Sequence, residues 1–120
     1  MELDIKVGRG YAIANMKGEL DHHGCHQIKD DLDVLLNRPS TKVLILDMEH
    51  VSFMDSSGMG LLMARNKIAM DKQVKIMVTG ASPEITKLLQ MVNLDKQIEL
   101  MPTLVEAVEY VERGIINGNK

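Results

Sequence analysis

The chain has 120 residues, of which 45% are hydrophobic and 26% charged, and a formal net charge of -3. That is the size and composition of one globular domain able to bury a core without disulfide or metal staples. Its mild acidity gives no electrostatic footprint of the basic kind that nucleic acids and anionic membrane surfaces select, so neither a direct nucleic-acid partner nor a membrane is expected.

Cys25 is the sole cysteine, which leaves no internal disulfide and suits a reducing compartment. The start, Met1-Glu2-Leu3-Asp4, is acidic and lacks the apolar stretch of a secretory signal. No apolar run approaches the ~20 residues of a membrane helix. A cytoplasmic, unanchored chain is expected. Ten Met stand beside one Phe, two Tyr and no Trp. This reads as an aliphatic core in which flexible Met fills irregular gaps.

Leu3, Ile5 and Val7 alternate with polar residues, as in a half-buried strand. Gly8-Arg9-Gly10 is a turn, and Tyr11, Ile13 and Met16 belong to a second strand, so the chain opens with a hairpin. Gly18-Glu19-Leu20-Asp21 ends the pair. A helix is expected after His22-His23-Gly24, with Ile28, Leu32, Leu35 and Leu36 at helical spacing and Val34 broadening the stripe. Asn37-Arg38-Pro39-Ser40 stops it, because Pro39 cannot donate to a helix ladder.

Val43-Leu44-Ile45-Leu46 is a continuous apolar run suited to a central strand buried on both faces. Asp47-Met48-Glu49-His50 is expected to lead away from it, and Phe53 to be buried. Asp55-Ser56-Ser57-Gly58 signals a helix start, with that helix running to about Met70. Val74–Val78 is a further strand. Ser82-Pro83 opens a third helix with Ile85, Leu88, Leu89 and Val92 as its stripe. Ile98-Glu99-Leu100 forms a short edge strand. Pro102-Thr103 opens a last helix with Leu104, Val105, Val108 and Val111 on one side, and Gly114 and the tail from Asn117 end it. The order β β α β α β α β α predicts a single α/β domain with a mixed β-sheet, an N-terminal hairpin and about four helices.

The segment Phe53-Met54-Asp55-Ser56-Ser57-Gly58-Met59-Gly60 carries the most information. Hydroxyls follow a carboxylate at the mouth of a helix, where free N–H groups and the dipole suit a phosphate. Plain capping is the bland use of the same residues. No Gly-x-x-x-x-Gly-Lys-Ser/Thr run exists, so this is not a P-loop, and the third glycine of a dinucleotide fingerprint is absent. The histidines of Asp21-His22-His23-Gly24-Cys25-His26 lack the second ligand pair of a structural zinc site, since His50 stands alone. A triad of Ser56 with His22 or His23 and Asp21 or Asp55 lacks the Gly-x-Ser-x-Gly elbow. No catalytic residue, metal or cofactor is implied, and the chain is not expected to be an enzyme.

Gly18-Glu19-Leu20-Asp21-His22-His23 together with Ser52–Gly60 resembles the anti-sigma factor antagonists of the STAS-domain family. The resemblance extends to Arg65 and Lys67, to Ser82-Pro83 and to the element order over essentially the whole chain. Met-Asp-Ser-Ser-Gly-x-Gly points to the phosphorylatable branch, and Leu-Asp-His-His to its sporulation members. The resemblance implies an anti-anti-sigma factor acting on sporulation-type transcription. In its unphosphorylated form it would bind an anti-sigma factor that is also a serine protein kinase, and so release the sigma factor. Phosphorylation of Ser56 would switch it off, and a serine phosphatase would restore it. Asp21, Asp55, Ser57, Gly58 and Gly60 would belong to the partner-binding surface. A general-stress antagonist or a scaffold STAS protein with another partner kinase is the alternative. Met59 stands where Leu is common, a nearly volume-conserving change.

Overall fold

An antiparallel hairpin opens the computed structural model, which describes residues 1–116 and the side chains through 114. Strands β1 (Glu2–Gly8) and β2 (Tyr11–Leu20) pair from Glu2↔Lys17 to Gly8↔Tyr11. Gly10 takes φ 83°, the left-handed backbone that a two-residue hairpin turn needs. The chain then alternates through α1 (His22–Asn37), β3 (Val43–Met54), α2 (Ser56–Asp71), β4 (Lys75–Thr79) and α3 (Pro83–Met91). A 3-10 turn at Leu94–Lys96, strand β5 (Glu99–Met101) and α4 (Leu104–Ile116) complete it. The sheet order is β1-β2-β3-β4-β5, with the first pair antiparallel and the others parallel. This is the mixed α/β sheet that the element order predicts.

Alternate residues along the strands feed two cores. Ala12, Ala14, Leu44, Leu46, Ile76 and Val78 face α1, α2 and α3, where they meet Ile28, Leu32, Leu61, Leu62 and Leu89. Tyr11, Ile13, Ile45 and Met77 face the other way, onto Ala107 and Val111 of α4. Each fully buried Leu or Ile contributes about 1.5–3 kcal/mol, so the larger core supplies most of the stability. Tyr11 Oη donates to Glu112 Oε2 at 2.8 Å and ties α4 to the start of β2. Ser82 caps α3 as expected, its Oγ accepting from Ile85 N at 3.1 Å.

Several expectations need correction. β3 does not stop at Leu46 but continues through Asp47-Met48-Glu49-His50 to Met54. β2 runs beside it to Leu20, across register shifts between Asn15 and Lys17 and between Gly18 and Glu19. Gly18, at φ 125°, permits one of these irregularities. Asp47 is buried inside the sheet, accepting from Asn15 Nδ2 at 2.9 Å and Thr79 Oγ1 at 3.0 Å. These bonds join three neighbouring strands and make a buried carboxylate tolerable.

Phe53 is 49% exposed rather than buried. Met54, its neighbour, takes the core side, and the cluster under α4 holds Ile45 and Met77 but not Phe53. Val34 and Val105 are exposed as well. The buried stripe of α1 centres on Ile28, Leu32, Leu35 and Leu36, and that of α4 on Ala107 and Val111, so both valines fall outside a helical face. The last helix passes Gly114 and runs to Ile116, and the tail from Asn117 lies outside the described residues.

Candidate phosphorylation and partner-binding site

The last pair between the parallel strands β2 and β3 is Leu20↔Met54. In each strand the next residue is an aspartate, and each aspartate caps a helix. Asp21 Oδ1 accepts from Gly24 N at 2.8 Å and starts α1. Asp55 Oδ1 accepts from Ser57 N at 2.9 Å and Gly58 N at 3.4 Å and starts α2. Parallel neighbours lie about 4.8 Å apart, so the two caps open side by side at the carboxyl ends of the strands. That edge is where open α/β sheets place their functional sites.

Helix α1 therefore begins at His22, directly after its cap, and not beyond Gly24 as the sequence reading expects. Gly24 lies in the first turn of the helix, where the chain runs against the end of β2. A Cβ on Gly24 would collide with the backbone oxygen of Glu19. A Cβ on Gly58 would collide with Met54 Cγ and stand 2.7 Å from the backbone oxygen of Leu20. Both glycines are needed for close approach of helix to strand. Gly60 differs, since a Cβ there would meet nothing within 4 Å.

Ser56 is the first residue of α2 and is exposed, while Ser57 and Asp55 are half-buried. Among the described residues Ser56 Oγ makes no hydrogen bond. The Asp55 carboxylate is occupied by the two backbone N–H groups. His22 and His23 are exposed at the start of the neighbouring helix. Asp21, Asp55, Ser56, Ser57 and Gly58 thus come together at one edge, with Gly60 one turn further along α2.

Cys25 lies buried beneath this edge. Burial pushes its thiol above its ordinary value, and the negative charges of Asp55 and then Asp21 push the same way, against Arg65. The thiol stays protonated at neutral pH and is a poor nucleophile.

Arg65 is a residue whose packing the sequence reading missed. It is 7% exposed, and its Nη2 donates to Asp33 Oδ2 at 3.0 Å, linking α2 to α1. The available signal was its spacing, three and four residues after the core positions Leu62 and Leu61. Asn66 is buried too, donating to Gln97 Oε1 at 3.2 Å. Among the described residues no three His, Cys, Asp or Glu side chains are placed to hold a metal ion. No helix among them is long and apolar enough to cross a membrane.

Residues 2–107 match the STAS domain. The chain belongs to the STAS-domain family. An anti-sigma F factor antagonist from Lysinibacillus sphaericus is 31% identical to this STAS domain over 112 residues, covering 93% of this chain and 94% of its own length. The anti-sigma factor antagonist SpoIIAA, solved in its unphosphorylated form, superposes with a TM-score of 0.76 at 26% identity, over 94% of this chain and 99% of its own. The Bacillus cell fate determinant SpoIIAA, solved in the phosphorylated form, gives a TM-score of 0.75 at 28% identity, over 92% of this chain and 99% of its own. Fold and family are those that the sequence resemblance implies.

Proposed function

We propose that this STAS domain is an anti-sigma factor antagonist controlled by phosphorylation at Ser56. The observation that carries the reading is the exposed Ser56 hydroxyl at the first position of α2, without a hydrogen bond among the described residues and beside the paired caps Asp21 and Asp55. The names of its relatives support the general role. Its partner is an anti-sigma factor that is also a serine protein kinase. The unphosphorylated domain binds that factor through Asp21, Asp55, Ser57, Gly58 and Gly60, and the sigma factor is released to drive sporulation-type transcription in the cytoplasm.

The kinase transfers the γ-phosphoryl group of ATP to Ser56 Oγ. An O–P bond forms, ADP leaves, and the hydroxyl proton is lost. The phosphate adds about two negative charges and three acceptor oxygens. The N-terminus of α2 tolerates it, because the helix dipole and the open end favour an anion there. The protein therefore stays folded. The docking face changes instead, since the new charge joins Asp21 and Asp55 and opposes any partner shaped for their pattern alone. A serine phosphatase hydrolyses the O–P bond and restores the face.

Binding of Ser56→Ala and Ser56→Asp to the anti-sigma kinase tests the reading. Ser56→Ala should bind within about twofold of the unmodified protein, and Ser56→Asp at least about tenfold more weakly. Equal affinities of the two variants would contradict an electrostatic switch.

A further inference from the structure

The two edges of the sheet differ. Strand β5 is 3 residues long, whereas β1 is 7 and pairs with β2 in one unbroken register. Proteins keep sheet edges from pairing with other chains by short strands, bulges, proline or a covering element. β1 is long, has no bulge in its pairing with β2 and contains no proline. All of its residues except Leu3 are exposed.

The outward backbone groups of β1 belong to its apolar residues. Gly8 and Tyr11 flank the two-residue turn and stand opposite each other, so they exchange both bonds of an antiparallel pair. Alternation then turns the N–H and C=O groups of Lys6, Asp4 and Glu2 towards β2, and those of Val7, Ile5 and Leu3 away from it. Ile5 and Val7 are 40% and 54% exposed, and Leu3 is half-buried against the larger core. The same three residues therefore offer both apolar side chains and free backbone groups along this edge.

We propose that β1 pairs antiparallel with β1 of a second copy of this chain, about a two-fold axis at Ile5, to form a weak dimer. In that register Ile5 faces Ile5 and Leu3 faces Val7, so outward backbone groups meet outward groups in every pair. On the opposite face Asp4 meets Lys6 of the second copy twice over, and Glu2 meets Gly8. Asp4 and Lys6 are exposed and form no ion pair among the described residues of the single chain. An axis at Asp4 or at Lys6 keeps the backbone match but sets like charges directly opposite, which destabilises. An axis falling between two residues sets outward groups against inward ones. Backbone and charge thus select one register, and its self-complementarity selects a second copy as the occupant. The three-residue β5 offers little edge for further growth, so assembly closes at two. A contact between two strand edges falls below the ~1,200 Å² of stable interfaces, and the dimer is weak accordingly. The pairing reverses the second copy, so the two Ser56 ends point in opposite directions and both stay open.

Sedimentation equilibrium of the full chain tests this, with circular dichroism confirming that each variant is folded. A dimer should appear, half-formed on the order of 100 μM. Lys6→Glu and Asp4→Lys each turn both ion pairs into like-charge pairs, and each should weaken dimerisation about tenfold. The two substitutions move net charge in opposite directions, so a loss in both is not a matter of overall repulsion. The double variant Asp4→Lys with Lys6→Asp restores opposite charges with their signs exchanged, and should dimerise within about twofold of the unmodified chain. A chain that stays monomeric to about 1 mM overturns the proposal. A dimer indifferent to Lys6→Glu places the contact elsewhere and overturns it too. Loss in both single variants without recovery in the double one overturns the register about Ile5.

Discussion

Two helix starts in this molecule use one device with different fillings. Asp21-His22-His23-Gly24 opens α1 and Asp55-Ser56-Ser57-Gly58 opens α2. In both, the aspartate accepts from the glycine N–H three residues on, and the glycine has no room for a Cβ against the strand end. The fold specifies the first and last residues of each segment. It leaves the middle pair free, as imidazoles in one segment and hydroxyls in the other. Capping and close packing therefore explain Asp21, Gly24, Asp55 and Gly58 without reference to a partner. They do not explain Ser56, and they do not explain Gly60, whose missing side chain leaves open space. The difference separates residues that build the site from residues that use it.

The largest effects should come from the two packed glycines. Gly24→Ala drives a Cβ into a backbone oxygen and should cost about 3 kcal/mol, with Gly58→Ala somewhat less because the flexible Met54 side chain can yield. Gly60→Ala should be neutral or stabilise by up to about 1 kcal/mol, as alanine does in a helix. Urea denaturation of the three variants measures this. Equal losses at Gly58 and Gly60 would break the distinction between building and using the site.

The caps come next. Asp21→Ala and Asp55→Ala should each lose about 1 kcal/mol, and Asn at either position should recover most of it, because Asn caps as well as Asp. Asp21→Asn then isolates the charge: it should keep stability and lower kinase affinity. An Asn variant that binds the kinase as the native protein does would confine Asp21 to capping.

Alkaline pH gives the smallest effect and probes the ground between the caps. Burial, with Asp55 and Asp21, raises the Cys25 thiol, and the hydrogen bond to Glu112, with burial, raises Tyr11. In both cases the folded state holds a proton that the unfolded chain releases earlier. Their contributions are fully present below the unfolded values, about 8.5 for Cys and about 10 for Tyr. They are lost as pH rises through the folded values. Stability should thus begin to fall above about pH 8.5, and Cys25→Ser should remove the first part of the decline. A stability curve flat through pH 9.5 would contradict the buried placement of the thiol.

Much of this architecture was legible from local pattern. The hairpin, the alternation of strands and helices and the caps at Asp55 and Ser82 follow from alternation, helical spacing and short oxygen-bearing side chains. What escaped depends on long-range partners. β3 extends past Leu46 only because β2 runs alongside it to Leu20. Asp47 reads as a polar exit from the strand until Asn15 and Thr79 are seen to satisfy it. Phe53 reads as core by composition, yet the sheet face it points to is covered elsewhere. At the site, Asp55 and Ser56 were legible as a helix start. That Asp21 opens the neighbouring helix, in register with Asp55, required the strand pairing. Arg65 required the packing of α1 against α2.

The most direct test is intact mass followed by site mapping, after incubation with ATP and the anti-sigma kinase. The account predicts one added phosphate, located at Ser56 and lost in Ser56→Ala, with His22 and Ser57 unmodified. No phosphate from a kinase proven active on another substrate, or phosphate elsewhere, would contradict it and leave Ser56 as the first residue of a capped helix and nothing more.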